Sequence, residues 1–67
     1  MSGKELVRIL TAKFRGEIVR IRGSHHIVRV GDCIASVPVH KNRDLPTGTL
    51  KNIHRAFEPC CGKGWWK

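Results

Sequence analysis

Residues 17–30 read EIVRIRGSHHIVRV, and this stretch decides the fold that the sequence predicts. Each half interleaves β-branched residues with polar ones, a pattern typical of a half-buried strand. Gly23-Ser24 separates the halves and indicates a tight turn, so we expect a β-hairpin. Arg20 and Arg22 should then share the solvent-exposed face of the first strand.

The hairpin also concentrates imidazole and guanidinium groups. His25 and His26 follow the turn directly, and neighbouring strand residues point to opposite faces, so one histidine should share the face of the arginines. Histidine can exchange a proton near neutral pH, and arginine offers a planar set of donors suited to phosphate. The pattern suggests chemistry on a phosphodiester. The alternative is a hairpin whose polar face carries solvated side chains without a catalytic role.

A helix is predicted before the hairpin and a third strand after it. Ser2 and Glu5 form a capping-box pattern, and the apolar residues that follow recur at helical spacing, which predicts a helix over residues 3–13. Residues 33–39 alternate again and predict a third strand. Pro38 lies within it and requires an edge or a non-donating position, because proline cannot donate a ladder hydrogen bond.

A second helix completes an α+β fold. Thr47 or Thr49 can cap this helix, and Pro59 is expected to end it. The order α-β-β-β-α predicts a three-stranded antiparallel sheet with two helices on one face, the layout of the double-stranded-RNA-binding domain. We expect one domain over residues 1–59 and a flexible tail over residues 60–67. The predicted core comprises Leu6, Ile9, Leu10, Val19, Ile21, Val28, Val37, Val39, Leu50, Ile53 and Phe57.

Composition limits the classes of partner. Thirteen Lys and Arg against five Asp and Glu give a net charge of +8, which favours a polyanion, nucleic acid ahead of a membrane surface. The sequence shows no long apolar run and no secretory leader, so we expect a cytoplasmic protein. Cys33, Cys60 and Cys61 lack the spacing of a zinc site and are expected to be free thiols. We expect no metal and no cofactor.

Three motifs follow one another along this layout. They are Arg20-x-x-Gly23-Ser24-His25-His26, Val37-Pro38-Val39-His40 and Leu45-Pro46-x-Gly48-Thr49-Leu50-x-x-Ile53. With these motifs in this order, the chain from residue 2 to about residue 57 resembles the HicA toxins, small ribonucleases of type II toxin–antitoxin pairs. The tail departs from the family pattern, because Phe57-Glu58-Pro59 interrupts the second helix. Its Trp65 and Trp66 could stack on unpaired bases.

The resemblance implies cleavage of mRNA without a metal, with His25, the histidine directly after Gly23-Ser24, as the essential catalytic residue. Imidazole can act as general base toward a ribose 2′-hydroxyl, and cations can stabilise the charge that develops on phosphorus. His26 or His40 could supply a second acid or base. The resemblance also implies a HicB-like antitoxin that masks the site, and we expect the free toxin to be monomeric. The candidate RNA-binding residues are Arg20, Arg22, Lys41 and Arg43.

Two other functional classes stay open at this stage. A non-catalytic RNA-binding module could have the same fold and charge and use His25 only in the turn, because one scaffold can host both functions. A DNA-binding accessory subunit is less favoured. Lys51 and Arg55 form a basic pair on the second helix, whereas a helix that reads the major groove needs a basic stripe.

Overall fold

The structure, a computed structural model, describes residues 1–41 and 43–67. The elements, in chain order, are α1 (Gly3–Phe14), β1 (Glu17–Arg22), β2 (His25–Val30), β3 (Cys33–Pro38) and α2 (Thr47–Cys61). The strands form one antiparallel sheet in the order β1-β2-β3, and both helices contribute to a single core on one face of it. The predicted α-β-β-β-α architecture is confirmed. No helix in the described ranges is long and apolar enough to cross a bilayer.

The central strand β2 divides its side chains between the two faces of the sheet. Val28 and Val30 are buried against the helices, and they pair with Ala35 and Cys33 of β3. His25, Ile27 and Arg29 lie on the opposite, open face, where Arg29 is exposed. The face that carries the core is therefore fixed by the alternation that the sequence showed.

Helix α1 begins as its sequence predicts. The Ser2 hydroxyl accepts a hydrogen bond from the Glu5 backbone N–H at 3.2 Å, and the Glu5 carboxylate accepts one from the Ser2 N–H, so the capping box is complete. Gly3 is buried where α1 meets the end of β3, and a Cβ there would fall on the carbonyl oxygen of Pro38. This contact sets the start of α1 against the same end of the sheet as the β1–β2 turn.

Two predicted core residues on β1 are instead exposed. Val19 and Ile21 keep 39% and 57% of their surface accessible, because β1 is an edge strand and the helices pack mainly over β2 and β3. A bulge at Val19 adds a residue between Ile18 and Arg20, so Val19 does not alternate regularly with Ile21, whereas Arg20 and Arg22 share the open face as predicted. The edge position of Pro38 in β3 is as predicted.

The remaining core is close to the prediction and includes additions from the loop and the tail. Six of the predicted residues are buried, and Ile9, Val39 and Leu50 are half-buried. The buried hydrophobic residues are Leu6, Leu10, Val28, Val30, Val37, Leu45, Ile53, Phe57 and Trp65.

Helix α2 differs from its prediction at both ends. Its N-cap is Pro46, with Thr47 as the first helical residue, and no threonine side chain caps it. At the other end the helix continues through Pro59 to Cys61, and the Gly62 N–H donates to the Glu58 carbonyl at 2.8 Å. Proline usually interrupts a helix because it lacks an N–H. Here contacts made by residues after Pro59 stabilise two further helical residues.

Those contacts form an aromatic cluster that includes the segment predicted to be a flexible tail. Trp65 is only 4% exposed and packs edge-on against Phe14 and Phe57, and its indole N–H donates to the His54 carbonyl at 2.9 Å. Trp66 stacks on the His54 ring at a centroid distance of 3.5 Å. The expectation of a loose end failed because two tryptophans cover apolar surface that α1 and α2 leave open. The same burial leaves Trp65 no free ring face for a nucleotide.

A disulfide joins Cys33 to Cys60, contrary to the expectation of free thiols. Because α2 continues past Pro59, it carries Cys60 to the start of β3, where Cys33 lies. Cys61 is a free, half-buried thiol, and burial raises its pKa, so it should be a weak nucleophile.

Replacing Trp65 should show how much the aromatic cluster stabilises the fold. We expect Trp65→Ala to lower the free energy of unfolding by about 3–5 kcal/mol, because a buried indole leaves a cavity and an unpaired carbonyl. Trp65→Phe should cost less, since it keeps a ring against Phe14 and Phe57. Chemical denaturation measures both changes, with Lys63→Ala as an exposed control. Equal stability of Trp65→Ala and wild type would contradict the packing described here.

Stability should also fall at acidic pH through His54. Burial lowers the pKa of His54; the negative charge of Glu58 partly opposes this effect, and the positive charge of the N-terminus adds to it. The Nε2 atom of the ring is buried without a hydrogen-bond partner among the described residues. The folded-state pKa therefore lies below the unfolded value of about 6.5. The contribution of neutral His54 to the free energy of unfolding is complete above about pH 6.5, and it is lost as the pH falls through the folded-state pKa. Denaturation at a series of pH values should show a shallower decline for His54→Gln than for wild type, and parallel profiles would refute the assignment.

Candidate active site

His25 is the first residue of β2 and lies exposed at one end of the sheet. Gly23 has a φ of +58°, a conformation that favours glycine, and its turn places His25 directly opposite Arg22. On its other side, His25 pairs with Pro38 of β3, and its ring Nδ1 lies 3.1 Å from the Ser36 hydroxyl. The imidazole is thus held by one hydrogen bond while its other nitrogen is left for a further contact.

The cations nearest to His25 in the sheet come from β1. Arg22 is its cross-strand neighbour, and Arg20 pairs with Ile27, so both arginines share the open face with His25. Among the described residues, no carboxylate lies within 4.0 Å of either guanidinium group. Arg29, farther along the same face, is paired with Glu17 at 2.8 Å. Positive charge is therefore concentrated at the His25 end of the open face.

Several backbone contacts hold the loop after β3 beside the turn. The Val39 N–H donates to the Ser24 carbonyl at 2.6 Å, which ties the chain leaving β3 to the β1–β2 turn. Farther along, the Leu45 N–H donates to the Met1 carbonyl at 2.9 Å, and the Met1 amino group lies 3.5 Å from the Asp44 carboxylate. Since Leu45 is also buried, the two ends of this basic loop are fixed.

The loop, the strands and α2 enclose an open cavity of about 340 Å³ beside His25. Each of the three sequence motifs contributes to its lining. His25 comes from the first motif and Pro38 and His40 from the second. Leu45, Pro46 and Thr49 come from the third. Arg43 also lines it. Segments more than twenty residues apart in sequence therefore meet around one imidazole ring. Among the described residues, the lining consists of His25, Pro38, His40, Arg43, Asp44, Leu45, Pro46 and Thr49.

The predicted site residues separate into those near His25 and those elsewhere. Arg22 is its strand neighbour, and His40 and Arg43 share its cavity. Lys41 lines a different cavity, of about 490 Å³, between the loop and the start of α1. His26 occupies the opposite face of the sheet, where its Nδ1 is buried without a partner among the described residues.

Three residues that the sequence reasoning did not select also surround His25. Ser36 alternates with the apolar residues of β3, so the period of two could have placed it on the face of His25. Thr49 and Asn52 lie three residues apart on α2 and share one side of that helix. Both line a second cavity that also includes His25 and Ser36. No sequence signal showed that this side of α2 approaches the sheet edge at His25.

The chemistry of this arrangement is that of an acid–base site in a positive field. It offers one oriented imidazole, a second imidazole in the same cavity, and guanidinium groups on two sides. The first turn of α2 adds backbone N–H groups and the positive end of the helix dipole near Thr49. Within residues 1–41 and 43–67, no group of three or more His, Cys, Asp or Glu side chains could hold a metal ion.

Comparison with known proteins identifies the family. A search of curated proteins and a search of solved structures gave no significant match. A family model described as the HicA toxin of bacterial toxin–antitoxin systems matches residues 3–58. This range contains both helices up to the last turn of α2, all three strands and every residue that lines the His25 cavity. The chain therefore belongs to the HicA toxin family, the toxins of toxin–antitoxin systems.

Proposed function

We propose that this toxin is a metal-independent endoribonuclease that cleaves mRNA, with His25 as general base. HicA toxins are generally ribonucleases, so family membership supports the reaction class. The observation that carries the proposal is the meeting of all three motifs around His25, an exposed imidazole held by Ser36. Cations flank it on β1 and in the loop, as a phosphodiester substrate requires.

The hydrogen bond to Ser36 supports the role of His25 as base. If Nδ1 carries the proton and donates it to the Ser36 hydroxyl oxygen, Nε2 keeps its lone pair. Nε2 then removes the proton of a ribose 2′-hydroxyl, and the 2′-oxygen attacks the adjacent phosphorus. The bond from phosphorus to the 5′-oxygen breaks. The products are a 2′,3′-cyclic phosphate and a new 5′-hydroxyl end.

Neighbouring residues supply the other two requirements of this reaction. Arg22 and Arg43 stabilise the negative charge that grows on the phosphoryl oxygens, since each lies beside His25 on a different side. His40 shares the cavity and protonates the leaving 5′-oxygen. His26 is not suited to this step, because it lies on the helix-covered face. Arg20 and Lys41 lie farther from His25, and we assign them to binding the flanking RNA backbone.

A toxin with this exposed site needs a partner that covers it. We propose a HicB-like antitoxin that binds the open face at the His25 end and presents acidic groups to Arg20 and Arg22. The net charge of +8 supports an acidic partner through electrostatic complementarity, and the same charge disfavours self-association, so the free toxin should be monomeric.

Removing the imidazole should abolish cleavage without unfolding the chain. We expect His25→Ala to lower the cleavage rate of an unstructured RNA by about 10²–10⁴-fold, the usual effect of losing a general base. The thermal midpoint should hardly change, because exposed substitutions alter stability by about 0.5 kcal/mol or less. Rates are measured in excess chelator, and the products are tested for 2′,3′-cyclic phosphate.

Two further variants make this experiment specific. Ser36→Ala should lower the rate by less than His25→Ala, and Ser36→Thr should restore it, because threonine keeps the hydroxyl. His26→Ala serves as a comparison on the opposite face of the same strand. If His25→Ala folds and still cleaves, the base is another residue. If wild type binds RNA tightly and never cleaves it, the chain acts as a non-catalytic RNA-binding module.

A further inference from the structure

Two cavities, not one, adjoin His25. The first, of about 340 Å³, opens toward the loop after β3, and the second, of about 380 Å³, extends along the groove between β3 and α2. Both are lined by His25, Pro38 and Thr49, so they meet at the imidazole ring. A group bound at His25 would therefore have room for a neighbour on each side.

The two cavities differ in chemistry. The loop-side cavity contains Arg43, whose backbone lies between the fixed ends of the loop, and Asp44, whose carboxylate pairs with the Met1 amino group. No Lys or Arg is among the described residues that line the groove-side cavity. Ala56 and Ile53 contribute apolar groups to the lining, and Asn52 and Ser36 contribute an amide and a hydroxyl. One side suits a phosphate, and the other suits an uncharged ring with hydrogen-bonding edges.

We propose that the groove-side cavity is a base-binding subsite in which Asn52 selects the nucleotide beside the cleaved bond, and that Arg43 binds a phosphate on the other side. This inference rests on the proposed ribonuclease function and adds to it the path of the bound RNA. The RNA runs from the loop, past His25, along the edge of β3 and against α2. Arg22 then faces the reacting phosphate from the open face of the sheet, and Arg20 contacts the RNA backbone beside it.

The amide of Asn52 is the group that gives the subsite selectivity. An asparagine side chain presents one donor and one acceptor side by side, and this pair can bind a base edge with two hydrogen bonds. The apolar floor contributed by Ile53, Ala56 and Pro38 can contact the ring face without distinguishing bases. Selectivity should therefore disappear with the amide, while most of the affinity remains.

Binding of uncleavable RNA tests the base subsite. Hexamers of each of the four bases, 2′-O-methylated throughout so that no 2′-hydroxyl can attack, are titrated against wild-type protein by fluorescence anisotropy. We expect wild type to prefer one base by about fivefold or more, the lower end of the discrimination given by a bidentate contact. Asn52→Ala should reduce this ratio to near one. Lys51→Ala, which alters the neighbouring exposed residue of α2 and touches neither cavity, should keep it.

The salt dependence of the same binding tests the phosphate site. Each phosphate contact in single-stranded RNA contributes about 0.7 to the slope of log K against log salt concentration. Arg43→Gln should therefore lower the slope by about 0.7 and leave the base preference unchanged. Arg8→Gln removes an exposed charge of α1 that lines neither cavity, and it should leave the slope as in wild type.

The outcomes separate this inference from the proposed function. Equal affinity of wild type for all four bases, or a base preference that survives Asn52→Ala, would overturn the base subsite. An unchanged slope in Arg43→Gln would overturn the phosphate site. None of these readouts depends on cleavage, whereas the His25→Ala experiment depends on cleavage alone, so the two proposals can fail independently.

Discussion

The alternation of side chains along β2 is the constraint on which both the core and the site depend. Val28 and Val30 are buried beneath the helices, and burying a valine side chain contributes about 1.5–3 kcal/mol. The same alternation sends His25 to the open face and His26 to the covered one. A slip of one residue would expose both valines and exchange the histidines, so the hydrophobic effect that forms the core also selects the exposed imidazole.

Strand register alone would place His25 beside Arg22 and Ser36 but would not form the loop-side cavity. The cavity requires that the loop after β3 return past the turn, and a few backbone contacts accomplish this. The Val39 N–H binds the Ser24 carbonyl, and Leu45 is buried while its N–H binds the Met1 carbonyl. A serine in the turn therefore matters through its backbone, and a leucine outside any helix or strand matters through its burial. Arg43 is positioned by this framework more than by its own interactions.

Much of the fold could be predicted from the sequence because local signals agreed with the tertiary structure. The capping box of α1, the turn at Gly23 and the alternation in β2 depend on neighbouring residues, and each appears as predicted. The errors arose where distant contacts decide. Ile21 has the sequence of a core residue and is exposed because the helices pack mainly over β2 and β3 and leave much of β1 uncovered. Pro59 has the sequence of a helix end, but packing and a disulfide beyond it extend α2.

The candidate site divides in the same way. Strand alternation left His25 and His26 as alternatives, and the resemblance to HicA toxins singled out His25. Loop position led to His40 and Arg43, which line its cavity. The position of Ser36 on the face of His25 follows from strand alternation, but that of Asn52 could not be predicted, because it depends on how β3 and α2 approach each other at the sheet edge. Lys41 shows the converse, since a basic residue in the correct loop can still line a different cavity.

The disulfide and the site lie at opposite ends of the sheet. His25 pairs with the last residue of β3, whereas the disulfide begins at its first residue, about 16 Å away at the usual strand rise. The family match ends at residue 58, before Cys60, Trp65 and Trp66. Trp65 packs against Phe14 and Phe57, and Trp66 stacks on His54; none of these three partners lines the His25 cavity. A small domain gains stability with difficulty from its own core, so a disulfide and aromatic packing outside the lining of the His25 cavity can strengthen the fold while His25 stays exposed.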